Sequence, residues 1–187
     1  MPRRWFELGP FTLFDVETTG MSPVADRIVE IAAVRIAPDG VQTRWQSLVN
    51  PGRPIPADVI RIHGITDAMV AGAPGFATVG RDFLALAKGS TLVAHNGRFD
   101  LAFLQESLQR DHLPLWQGPE GRTLDSIPIV KAAFPGLPSY SLQNLRHALG
   151  LGTGGEGPAH RAAADVEWTL EVFSMALQRL LDRQEGG

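Results

Sequence analysis

An α/β fold, a mixed sheet of about five strands covered by helices, follows from two features of the 187-residue sequence. Runs rich in β-branched and alternating apolar residues crowd the first fifty positions. After them, segments with helical spacing alternate with short apolar runs. The length suits one domain, 1–187, and no internal repeat or linker divides it.

The elements can be taken in order. "FTLFDVETTG" (Phe11–Gly20) reads as a buried strand ending in acids, with "TTGMSP" as the turn after it. "RIVEIAAVRI" (Arg27–Ile36) is a second strand, "PDG" (Pro38–Gly40) a hairpin turn, and "VQTRWQSLV" (Val41–Val49) an alternating third strand. The Pro-rich "NPGRPIPADV" ends it. "FATVGRDFLALAKG" has helical spacing and a glycine stop at Gly89. "STLVAHN" (Ser90–Asn96) is a short buried strand, "RFDLAFLQESLQR" an amphipathic helix, and "RTLDS" a fifth strand followed by a helix through Phe134. "SLQNLRHALG" is a helix with a serine start and a glycine stop, and "GTGGEGP" is a loop. A last helix from about Ala159 to Arg183 carries the stripe Val166, Leu170, Phe173, Leu177 and Leu180.

Composition removes several functions. There are no cysteines, which excludes disulfides, cysteine nucleophiles and thiolate zinc sites. The net charge of −3 argues against a general polyanion binder, although a local basic groove beside acidic ligands is compatible with it. Lysine occurs only at Lys88 and Lys131, so arginine supplies the cations and suits forked phosphate contacts. The N-terminus "MPRRWFELGP" lacks the apolar core of a signal peptide, and no run is apolar enough to span a membrane. The expected location is the cytoplasm.

Four acids carry the chemistry. Asp15 and Glu17 lie two apart on a strand and so share a face with Phe11 and Leu13. Either they are exposed acids at a fraying strand end, or a cation sits between them and offsets their repulsion. Asp100 heads the stripe Phe103, Leu104, Ser107 and Leu108. The helix dipole explains an acid in a first turn but not one on the inward face, where a carboxylate needs a partner. Asp165 adjoins the stripe of the last helix at Val166. His160 is five residues earlier, about 500° of helix rotation away, which places it at or before the helix start. Taken alone it fits a surface residue near a loop better than a site residue. Four carboxylates and an imidazole suit two Mg²⁺ or Mn²⁺ ions, a pairing that serves phosphoryl transfer, with a neutral histidine able to take a proton from water.

This constellation resembles the DEDDh 3′–5′ exonucleases, the family of the DNA polymerase III epsilon (proofreading) subunit. "FDVETTG" is similar to the first family motif, "VAHNGRFDLAFL" to the second and "HRAAADVEWT" to the third. "IHGIT" (Ile62–Thr66) resembles the nucleotide-contact loop, and "TLDS" and "SLQNLRHALGL" the later helical segment. Arg161 stands where epsilon subunits usually have glycine. The resemblance implies an RNase H-like fold and hydrolysis of nucleoside monophosphates from single-stranded or mismatched 3′ ends of DNA, in proofreading or repair. By position it implies that Asp15 bridges two ions, that Glu17 and Asp165 hold the water-activating one, that Asp100 serves the second, directly or through water, and that His160 is the general base. It further implies substrate contacts at Thr18, Thr19, Gly20, Met21, His63, Asn96 and Phe99.

Other readings are weaker. Two overlapping G-x-G-x-x-G matches in "GLGTGGEG" follow a helix rather than a strand, the wrong context for a dinucleotide site. An exoribonuclease resembling oligoribonuclease or RNase T keeps the fold and changes the sugar, although "DVETTG" looks more like the epsilon type. A binding module on a dead exonuclease scaffold conflicts with five intact site residues. The implied partners are DNA and a replicative polymerase subunit or sliding clamp. The chain ends at "LLDRQEGG" soon after its last helix, and the leucines of "QRLLDR" suit a core better than a clamp peptide. The expectation is therefore a standalone exonuclease or a subunit that docks through its folded surface.

Overall fold

The structure, a computed structural model, describes residues 3–116, 122–151 and 161–185. His160 and the glycine-rich loop before it lie outside the described residues, as does the predicted helix start at Ala159.

Among the described residues, five strands form one sheet: β1 (Phe11–Thr18), β2 (Ile28–Ile36), β3 (Gln42–Leu48), β4 (Thr91–Ala94) and β5 (Thr123–Asp125), in the spatial order β3-β2-β1-β4-β5. The first three are antiparallel neighbours, whereas β4 and β5 run parallel to β1. The hairpin at Pro38–Gly40 closes through Ala37 N–H to the Val41 carbonyl, 2.9 Å. The mixed sheet is thus the predicted one, and its parallel half needs the helical crossovers that the alternating second half of the chain supplies.

Helices cover both faces. Phe14 and Val16 of β1 pack with Val79 and Phe83 of α3 (Phe76–Ala87) and with Phe103, Leu104 and Leu108 of α4 (Arg98–Arg110). On the opposite face, Phe11 and Leu13 meet Val166, Leu170 and Phe173 of α7 (Ala162–Glu185). The two-residue period of a strand produces this split. Continued along β1, the α7-facing row becomes Asp15 and Glu17. On β2 the row Ile36, Val34 and Ala32 likewise becomes Glu30. The strand register sets Glu17 opposite Glu30.

Helix α5 (Ser126–Ala133) and helix α6 (Leu142–Leu149) form a satellite core with Val172 and Ala176 of α7. The predicted single stripe of α7 is divided accordingly: Val166, Leu170, Phe173 and Leu177 face the sheet, and Leu180 faces α5 and α6.

Two short helices are not foreseen by the sequence pattern: α1 (Ala57–His63) and α2 (Asp67–Val70) lie where the sequence suggests only a Pro-rich terminator and a loop. Both are too short to show a period. Gly64, at φ 74°, ends α1 in a left-handed conformation. Thr66 caps α2 by accepting from Met69 N–H, 3.4 Å. Ile55, Ile65 and Val70 hold the pair against Val29.

Candidate active site

The site lies where β1 outruns its neighbour. Pairing of β1 with β4 ends at Leu13 opposite Val93, so the Val16 N–H on that edge lacks a strand partner. Asp100 supplies one: its Oδ1 accepts from Val16 N–H at 3.1 Å. Asp100 is 4% exposed, and with Phe103, Leu104, Ser107 and Leu108 it makes up the buried face of α4. The inward-facing acid is therefore tied to the strand that carries the other two.

Asp15, Glu17 and Asp165 each place a carboxylate oxygen within 4.8 Å of those of the other two. β1 supplies the first pair and the first turn of α7 supplies the third. The cluster is electrostatically frustrated. Burial, with the negative charges of Asp100, Asp165, Glu17 and Glu30, raises Asp15 well above the usual carboxylate range. Burial first and then Asp165, Glu30 and Asp100 push Glu17 up to about 8, against the opposing charge of Arg161. Burial lifts Asp100 to about 7 although backbone N–H groups, that of Val16 above all, stabilise its ionised form. Carboxylates gathered and buried in this way lack positive charge, and an all-oxygen set of this kind fits a hard divalent cation.

The loop after β1 is tightly built. Thr18 Oγ1 donates to the Gly20 carbonyl at 2.6 Å. Thr19 Oγ1 donates to Asp26 at 3.2 Å and accepts from Arg27 N–H at 3.0 Å. Asp26 also accepts from Ser22 N–H at 2.9 Å, and its carboxylate occupies the space a Cβ at Gly20 would need. Gly20→Ala is therefore expected to displace Asp26. Overpacking of this kind costs about 1–3 kcal/mol, and a rise of about tenfold in KM for the substrate (about 1.4 kcal/mol) would show that the loop meets it. Unchanged KM and melting temperature would contradict the close fit.

Met21 projects from this loop, 80% exposed. His63 is buried, and its Nδ1 accepts from Ile65 N–H at 2.9 Å. Burial lowers its pKa, with the Thr18 backbone and Glu30 pulling the other way, so it sits beside the cluster as a neutral ring. Phe99 packs its ring on Phe103, centroids 4.8 Å apart, which makes it partly a core residue. Asn96 adopts a left-handed φ of 61° and donates its N–H to Asp125 at 3.2 Å. Asn96 and Asp165 border one groove of about 830 Å³, whose other wall carries Lys131, Ser139, Ser141 and Gln143.

Sequence reasoning missed Glu30, 3% exposed and bound by Arg161 Nε and Nη2 at 3.0 and 2.6 Å. A signal was present: a lone acid inside the apolar run "RIVEIAAVRI" requires a partner. The groove beside Asp165 was also missed, because its lining comes from four separate segments.

Comparison with known proteins agrees with this geometry. The exonuclease family of the RNase T type matches residues 12–173. A DNA polymerase III subunit epsilon of Treponema pallidum is 40% identical over 166 residues, covering 88% of this chain and 74% of that one. A DNA polymerase III subunit epsilon-like protein of Rhodobacter capsulatus is 44% identical over 177 residues, 92% of this chain but 24% of its own length. This chain thus spans about a quarter of that relative. Exonuclease X, solved in complex with 5′ overhanging duplex DNA, superimposes with a TM-score of 0.62 at 29% identity, over 95% of this chain and 93% of that one. With its mixed sheet, RNase H-like architecture and near full-length match, the chain belongs to the exonuclease family that includes the DNA polymerase III epsilon subunits.

Proposed function

We propose that residues 1–187 form one exonuclease domain that removes nucleoside monophosphates from the 3′ end of DNA, at single-stranded or mismatched termini. The cluster of Asp15, Glu17 and Asp165 on an exonuclease-family fold carries this reading. Names of the relatives support DNA as the substrate and proofreading or repair as the setting. They also support another polymerase subunit as partner; a sliding clamp as a second partner and the cytoplasm as the place of action complete the proposal. Among the described residues, no helix is long and apolar enough to cross a membrane.

In this reading Asp15 would bridge two divalent ions, Glu17 and Asp165 would hold one of them, and Asp100 would serve the other. Magnesium or manganese bound there supplies the charge that activates water and stabilises the leaving oxygen. His160 would take the proton from the attacking water, the general-base role that the family resemblance implies for it. Thr18, Thr19 and Gly20 hold the terminal nucleotide through a backbone that the Asp26 contacts keep rigid. Met21 offers an exposed apolar side chain to the terminal bases; Phe99 would support a base or sugar and His63 would flank the substrate. The groove past Asn96 and Lys131 gives the upstream strand a path of mixed polar and apolar lining. Unpairing is cheaper at a mismatch, so selectivity for mismatched ends needs no base-specific contact.

The test is digestion of 5′-labelled single-stranded DNA, mismatched duplex, matched duplex and RNA with Mg²⁺ or Mn²⁺, with a chelator as control. A metal-dependent ladder from the 3′ end of DNA, faster on mismatched than on matched duplex, is expected. A ladder on RNA alone would refute the DNA assignment, and no cleavage of any substrate would refute the enzyme.

A further inference from the structure

We propose that Glu30 and Arg161 act as a positioning clamp that holds Asp165 against the β1 carboxylates; the role rests on the exonuclease reading above. Glu30 continues the α7-facing row of β2 and lies opposite Glu17 in register. It resembles a further ligand, but its oxygens are occupied. Arg161 donates to it from Nε at 3.0 Å and from Nη2 at 2.6 Å, and Ala162 N–H donates to it at 3.1 Å. A carboxylate on a strand thus caps the first N–H of α7, where the helix dipole favours negative charge.

The second link runs through the backbone. The Arg161 carbonyl accepts from Ala164 N–H at 2.9 Å and from Asp165 N–H at 3.0 Å. Asp165 is therefore two hydrogen-bonded steps from Glu30, and Glu30 sits one strand away from Glu17. Side chain and backbone of Arg161 together transmit the register of the sheet to the first turn of the helix. Stability alone does not call for this arrangement, since apolar residues of similar volume often replace a buried ion pair without loss. What the fork contributes is direction: two parallel donors and one backbone donor define a single placement of the helix start. Arg161 also brings a positive charge towards Glu17.

The experiment compares wild type, Arg161→Lys, Glu30→Gln and the double variant Glu30→Gln/Arg161→Met, below the lowest melting temperature of the set. Readouts are kcat and KM on single-stranded DNA, Mn²⁺ affinity from the electron paramagnetic resonance signal of free Mn²⁺, and thermal melting. Loss of a partner that orients a metal ligand typically costs about 10- to 100-fold. Glu30→Gln and the double variant are each expected to lose about that much in kcat and in Mn²⁺ affinity, with KM within about threefold. The double variant should be no worse than the single one, because the two residues act as a unit. Arg161→Lys keeps the charge but loses the fork, and should fall between. A double variant with wild-type kcat and Mn²⁺ affinity would overturn the clamp and leave the pair a stabilising role. Wild-type protein that cleaves no nucleic acid would overturn the exonuclease reading, and the clamp with it; the two failures are distinguished by the wild-type lane.

Discussion

Asp15→Asn is expected to lower kcat by about 1000-fold while leaving the metal-free protein at least as stable as wild type. The two halves of this result have one cause. Asp15 lies on the α7-facing row of β1, within 4.8 Å of Glu17 and Asp165, and it feels the charges of Asp100 and Glu30 as well. Asparagine keeps its shape and removes its charge. Without metal, burial and the neighbouring acids oppose ionisation of Asp15, so a neutral asparagine costs the fold nothing. With metal, a shared ligand is gone. Charge stabilisation by bound metal is worth several kcal/mol in a transition state, and about 4 kcal/mol corresponds to a factor of about 1000. Single-turnover cleavage of a labelled oligonucleotide measures the first half, and melting in chelator measures the second. Activity within tenfold of wild type would place the reacting centre elsewhere. A large drop in melting temperature would show that the Asp15 carboxylate holds the fold together rather than straining it.

The contrast between Asp15 and Glu30 shows what a sequence can disclose. Asp15 and Glu17 end an apolar strand two residues apart, and Asp100 heads a helical stripe. Both are local patterns set by the periods of strand and helix, and the buried face of α4 is the one the spacing predicts. That Asp165 approaches them depends on how α7 crosses the sheet, which no local pattern encodes; family motifs supplied it. Glu30 has only the signal of a lone acid in an apolar run, which says that it needs a partner but not which one. Its partner is 131 residues away, and its strand is apolar apart from itself and Arg35. The short helices α1 and α2 were hidden for a different reason. With seven and four residues they are held by caps and by contacts to Val29 rather than by an amphipathic period. Arg161 was visible only as a departure from glycine, and its meaning needed the sheet register to appear.

In chelator, the melting temperature should fall as pH rises from about 5 to about 8.5, and saturating Mn²⁺ should flatten the curve. The sign follows from proton counts. Glu17 titrates at about 8 and Asp100 at about 7 in the folded chain. In the unfolded chain they return to the ordinary carboxylate range near 4. Between these limits the folded protein holds protons that the unfolded one has released, so raising the pH favours unfolding. The stability they contribute is complete below about 4 and is lost as pH passes through about 7 and about 8. A tenfold difference in proton affinity between folded and unfolded chain corresponds to about 1.4 kcal/mol, and because the two groups interact, so that their contributions do not add in full, the total is on the order of 3 kcal/mol. For a chain of this size that amounts to a drop of about 5–10 °C. Mn²⁺ binds the ionised carboxylates and replaces the protons, so it should recover most of the loss at the alkaline end. A curve in chelator that is flat or rises over this range would contradict the crowding of the four acids. Carboxylates paired with the protein's own cations stabilise a fold as pH increases. A falling curve that Mn²⁺ flattens therefore marks acids that the chain has gathered without enough positive charge of its own, and it does so without reference to any substrate.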